Sequence, residues 1–149
     1  MNRHPYLRAY MAGIAVPTAF LIVGLTVFCV ARFVYQVPVP IERVIVFPMA
    51  LIPNLWGAWN MLYVALPRRR AWTIGIHGAL LPLILGPMGY VAATLLGVLN
   101  ATQKGLVYFD AVHVSFAHVA ILLPIGITVY YLAWKYLVAS LNKVVEIAG

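Results

Sequence analysis

The chain has 149 residues, of which 64% are hydrophobic and 9% charged, and its mean hydropathy is +0.97. A soluble domain carries about a quarter charged residues, so this composition excludes water as the main solvent. In hydrocarbon only helices or a closed barrel satisfy the backbone, and the long unbroken apolar runs favour helices over alternating barrel strands. The formal charge of +7 reads as an insertion signal and an attraction to anionic headgroups, not as a nucleic-acid surface.

In chain order, four stretches are long enough to cross a bilayer at about 20 apolar residues per span. The first runs from Ala12 to Tyr35. Its apolar core from Ile14 to Val30 exceeds the roughly 7 to 15 residues of a signal-peptide core, and no small-residue cleavage site ends it, so it is expected to be a retained helix. A Pro-containing link from Gln36 to Arg43 leads to the second span, Val44 to Leu66. A basic turn from Pro67 to Arg70 leads to the third, Ala71 to Val98. A longer polar loop, Asn100 to Asp110, precedes the fourth, His113 to Val138. The expected fold is therefore an all-α integral membrane protein, a single bundle of four transmembrane helices with Pro-kinked centres.

Arg3, Arg8, Arg68, Arg69, Arg70, Lys135 and Lys143 fall on one side of this layout, and Arg32, Arg43 and Lys104 on the other. Cytoplasmic loops carry the excess of Lys and Arg. Both termini are accordingly expected in the cytoplasm, most simply that beneath a bacterial inner membrane.

Within the spans the prolines are informative. Pro53, Pro82, Pro87 and Pro124 lie near mid-depth, and each removes an i to i−4 bond, freeing the carbonyls of Met49, Gly78, Leu83 and Ala120. Gly86-Pro87-Met88-Gly89 is the expected place for local unwinding. Small residues recur every four positions in the third span at Gly78, Pro82 and Gly86 and again at Gly89, Ala93 and Gly97. In the second span Ala50, Asn54 and Ala58 make a similar strip. Such spacing lets helices approach closely where lipid removes the hydrophobic drive. Ala50, Ala58, Gly86, Gly89, Ala93 and Gly97 are therefore the candidate packing residues, and Asn54 is expected to find a hydrogen-bond partner on protein.

The run from Pro53 to Asn60 places Pro53, Gly57 and Asn60 on one helical face, with Trp56 at its edge and Trp59 and Tyr63 continuing an aromatic stripe. A deep Trp56 needs a partner for its indole N–H. Asn54, Trp56, Asn60, Tyr90, Thr128 and Tyr130 are the candidate lining of a mid-membrane cavity for a lipophilic small molecule. Ordinary aromatic packing is the simpler account.

Missing residues exclude more chemistry. Glu42, Asp110 and Glu146 are the only carboxylates, and none falls at mid-depth where proton-coupled carriers keep one. Cys29 stands alone, so no internal dithiol exists. No span carries the polar Arg, Asn and Glu cluster that a four-helix membrane glutathione transferase would need. His113 and His118 are weak metal candidates, since a regular helix would set them about 140° apart, and His77 and His118 differ by roughly 15 Å in expected depth. Asp110 is expected to cap the fourth helix. Asn100-Ala101-Thr102 matches a glycosylation pattern on the expected outer side.

No catalytic residue, metal or cofactor is expected. The expected partners are the bilayer, further copies of the chain or other membrane subunits, and a lipophilic small molecule. The expected role is a non-catalytic subunit or scaffold, with a lipophilic-molecule carrier and a metal-dependent membrane enzyme using the outer histidines as alternatives.

Overall fold

A computed structural model describes residues 4–37, 47–66, 73–108 and 112–147. The chain is mostly helical. Helix α1 spans Pro5–Phe33, α2 Phe47–Ala65 and α3 Ile74–Leu95. A small antiparallel sheet of β1 (Leu99–Thr102), β2 (Gly105–Tyr108) and β3 (Val112–Ser115) follows. Helix α4 (Phe116–Leu132) then continues through a π-helical turn (Ala133–Val138) into α5 (Ala139–Val144). Among the described residues three helical runs are long and apolar enough to cross a membrane: Pro5–Phe33, Ile74–Leu95 and Phe116–Val144. The exception is α2, whose sequence is diluted by Asn54, Asn60, Trp56, Trp59 and two prolines.

Several boundaries differ from the sequence expectation, for local reasons. Pro5 sits in the first helical turn, where its missing N–H is harmless, and α1 starts there instead of at Ala12. Helix α3 begins after Thr73, whose side chain accepts from the Ile76 N–H at 3.4 Å. It runs unbroken through Gly86-Pro87-Met88-Gly89, so the expected unwinding is absent. It stops at Gly97, with φ +66°. There the Gly97 N–H donates to Thr94 O (3.1 Å) and the Val98 N–H to Ala93 O (2.8 Å), a Schellman closure in which a left-handed residue favours glycine. Gly97 is thus explained as a helix terminator.

The loop expected from Asn100 to Asp110 folds largely as the sheet. In register, Asn100 faces Val107, and Val107 faces His113. His113 therefore belongs to a strand, and the helical angle assumed between it and His118 does not apply. Ser115 caps α4, accepting from the His118 N–H at 3.4 Å; the expected cap, Asp110, lies outside the described residues, as do Glu42, Arg43 and the arginines of the basic turn. The fourth helical run also extends past Val138 to Val144.

The helices form two antiparallel hairpins. In the first, α1 meets α2 through paired glycines. A Cβ on Gly13 would come within 2.7 Å of Trp56 O and 2.8 Å of Gly57 Cα, and one on Gly57 within 2.6 Å of the Tyr10 ring. In the second, α3 meets the fourth helical run through Gly75, against Tyr131, and Gly78, whose missing Cβ makes room for the Trp134 indole.

The hairpins join near one end only. Val16, Trp56, Leu81, Trp134 and Val138 form the core there. Beyond it, Phe20, Val23, Val27 and Val30 of α1, Leu83, Ile84 and Val91 of α3, and Ile121, Leu122 and Val129 of α4 are exposed. Such an apolar exterior is costly in water.

The joined end is closed by polar side chains. Asn60 donates to Ala9 O (2.8 Å) and to Asn142 Oδ1 (2.8 Å), and Asn142 donates back to Asn60 Oδ1 (3.1 Å). Asn60 is fully buried and Asn142 nearly so. Arg8 donates to Val145 O (3.2 Å) and pairs with Glu146 (3.4 Å), so the start of α1 meets the turn after α5 at this end.

Removing one member of a buried amide pair strands the other, at about 1–3 kcal/mol. Asn60→Ala should therefore lose about that much stability in a detergent unfolding titration. Asn142→Ala should lose a similar amount, and the double variant less than the sum. Strict additivity would mean that the two amides do not act as a pair.

Candidate functional site

The junction of the two hairpins gathers the polar and aromatic side chains on which any binding chemistry would draw. On α2, Pro53, Trp56, Gly57 and Asn60 are all buried, the face expected from their helical spacing. Trp59 lies beside it. From α3 come His77 and Gly78, and from the fourth helical run Tyr130 and Trp134.

Trp59 and His77 clasp each other's backbone. The Trp59 indole N–H donates to His77 O at 2.9 Å, and His77 Nε2 lies 3.1 Å from Trp59 O. A carbonyl can only accept, so His77 carries a proton on Nε2. Their rings stack at 4.8 Å between centroids, Tyr63 adds a tilted contact at 5.3 Å, and Trp134 presents an edge at 6.0 Å. His77 is thus accounted for as a buried structural group between α2, α3 and the π-helical turn.

Above the clasp, Trp56 meets Tyr130 at 5.1 Å and Trp134 at 5.3 Å between ring centroids. The Trp56 and Trp134 indole nitrogens are buried without a hydrogen-bond partner. The Tyr130 hydroxyl lies near the Trp56 N–H but outside hydrogen-bonding geometry. Two unmet donors side by side are uncommon in a folded interior.

The residues read from the sequence as a cavity lining separate into two groups. Trp56 and Tyr130 meet, and Asn60 lies about one turn along α2 in the polar closure. Asn54 stays largely exposed, accepting from the Tyr10 hydroxyl across the α1–α2 pair. Tyr90 is exposed on the outer half of α3. Thr128 is exposed and its hydroxyl donates to Pro124 O at 2.8 Å, so its one proton is already engaged.

The packing candidates also divide. Within this chain Ala58, Gly86 and Gly89 are exposed and Ala93 half-buried, while the side chain of Ala50 lies outside the described residues. The glycines that meet neighbouring helices are Gly13, Gly57, Gly75 and Gly78. Gly78 was legible in the four-residue repeat. Gly75 and Trp134 carried no local signal, because their roles depend on each other across helices.

At the opposite end, His118 Nδ1 lies 2.6 Å from Ser115 Oγ, and His113 is exposed on β3. Among the described residues no three His, Cys, Asp or Glu side chains converge as metal ligands. No family model, curated protein or solved structure matches the chain.

The clasp gives a direct test. Trp59→Phe keeps the ring stack but removes one hydrogen bond, and His77→Phe removes the other. Each should lower stability by about 1 kcal/mol in the same unfolding titration. Wild-type stability in both variants would show that the clasp does not hold α2 against α3.

Proposed function

We propose that the chain is a four-pass integral membrane protein that acts as a non-catalytic subunit or scaffold, packing through its outer half on further copies of itself or on other membrane subunits. The observation that carries this reading is a set of helix-interior glycines with nothing against them. A Cβ on Gly24, Gly86, Gly89 or Gly126 would meet no atom within 4 Å. Inside a helix each glycine is less favourable than alanine by about 0.5–1 kcal/mol, and no contact among the described residues accounts for these four. A second helix laid against them does, since Cβ-less positions are where membrane helices approach closely. Gly86 and Gly89 belong to the small-residue pattern of α3, so sequence pattern and open space select the same surface.

The membrane part of the proposal is supported by the three long apolar helices and by the way hydroxyls in the runs are engaged. Thr18, Thr26, Thr94 and Thr128 each donate to the carbonyl four residues before, at 2.7–2.9 Å, the local solution that lipid favours. With α2 as the fourth crossing, both termini and the α2–α3 connection share one side. The distribution of Lys and Arg makes that side the cytoplasm, as in a bacterial inner membrane.

A second reading, a carrier of a lipophilic small molecule, is favoured by the unmet Trp56 and Trp134 donors. A hydrogen-bond acceptor on an apolar molecule would complement them.

Native mass spectrometry after gentle extraction separates the two. The scaffold reading expects a defined oligomer or a co-purifying subunit that Gly86→Leu and Gly89→Leu both dissociate while the monomer stays folded. A monomeric wild type with no companion would overturn it. A retained stoichiometric lipophilic mass, lost in Trp56→Phe, would establish the carrier reading instead.

A further inference from the structure

The fourth helical run carries a cation that, among the described residues, is flanked by tyrosines and by no acid. Lys135 is exposed, and its ammonium lies 5.5 Å from the centroid of Tyr131 and 5.3 Å from that of Tyr136. Both phenol oxygens are within its reach. In a regular α-helix Tyr131 and Tyr136 would point about 140° apart. The π-helical turn over Ala133–Val138, with its i to i+5 bonding, widens the helix there and lets both rings flank one ammonium. The same stretch is seated against α3 at Gly75, where a Cβ would come within 2.8 Å of Tyr131 Cε2 and 3.2 Å of Lys135 Cβ. A bulkier residue at position 75 would displace the tyrosine and the lysine stem.

Among the described residues no acid answers the charge of this group. Ten Lys and Arg face three acidic residues, and the one acid among the described residues, Glu146, pairs with Arg8. Lys135 is 19 residues beyond Phe116, the first residue of α4, or about 28 Å at 1.5 Å per residue. That is close to the roughly 30 Å thickness of the hydrocarbon core. With Phe116 at one boundary, Lys135 stands at the other, at the depth of lipid phosphates. Its apolar stem lies along the helix while its charged head reaches the headgroups.

We infer that Lys135, flanked by Tyr131 and Tyr136, holds the phosphate of an anionic phospholipid on the outer surface of the α3–α4 hairpin. The ammonium supplies the charge, and the two hydroxyls are donors for the remaining phosphate oxygens. This rests on the membrane-spanning reading. That reading is tested separately by alkaline extraction of membranes, from which a spanning protein is not released.

The direct test uses the full chain in mild detergent, titrated with dioleoyl-phosphatidylglycerol or dioleoyl-phosphatidylcholine and observed by native mass spectrometry. The wild type should take its first phosphatidylglycerol in preference to phosphatidylcholine by about fivefold or more, the effect of about 1 kcal/mol per basic residue at an anionic surface. Lys135→Gln should abolish the preference, Lys135→Arg keep it, and Tyr136→Phe, at an exposed position, weaken it without unfolding the chain. Lys143→Gln, elsewhere on the same run, should leave it unchanged. An unaltered preference in Lys135→Gln would overturn the site. Equal uptake of the two lipids by the wild type would overturn the lipid selectivity. Displacement of phosphatidylglycerol by millimolar inorganic phosphate would make the ligand a soluble anion.

Discussion

The structure depends on the seating of Trp134 against Gly78. Within the second hairpin this contact places a fully buried indole where α2, α3 and the π-helical turn converge. A side chain at position 78 would occupy the volume of the Trp134 ring. With the indole seated, Trp56 and His77 find its face and edge, Val138 packs one turn further on, and Asn142 arrives opposite Asn60. Without it the second hairpin would lose one of its own glycine contacts, and the two hairpins the centre of their common core.

The polar groups follow two different solutions to the same constraint. In an apolar solvent a donor left alone is expensive. The threonines of the long apolar runs solve this locally by bonding back along their own helices, which leaves their flanks apolar. The amides, the imidazole and Trp59 solve it between helices, and those bonds concentrate at the joined end. This explains why α2 is not among the three long apolar runs: it supplies Asn60 and Trp59, the two donors that tie it to α1, to α3 and to the C-terminal turns. Its polarity belongs to its central position in the assembly of hairpins.

Much of this was legible in the residues. The apolar runs located four helices, and the face made by Pro53, Gly57 and Asn60 with Trp56 at its edge is the buried face of α2. Boundaries moved where capping chemistry acts over one or two residues, as at Thr73, Gly97 and Ser115. The sheet was missed because each strand has only four residues, too short for an alternating pattern to stand out against a polar loop. The π-helical turn has no sequence signature of its own. The partnership of Asn60 with Asn142 spans 82 positions, and half of it lies beyond the fourth span as read from hydropathy. For the candidate site, composition identified deep aromatics and an amide but not their grouping: Trp56 and Tyr130 meet, whereas Tyr90 and Thr128 face outward.

The two ends of the molecule therefore carry different kinds of information. At the joined end the buried amides, His77 and Trp59 have named partners, the Trp56 and Trp134 indoles do not, and the glycines are filled by neighbouring rings or backbone. Substitutions there report on folding. In the outer half the glycines face open space, the apolar side chains are uncovered, and the threonine hydroxyls are engaged locally, so nothing among the described residues fixes the identity of those surfaces. A sequence constrained only by lipid solubility would favour alanine or leucine at Gly24, Gly86, Gly89 and Gly126, because glycine weakens a helix without improving its partition into lipid. Contacts among the described residues leave these four glycines unaccounted for, and it is on them that the proposed packing surface rests.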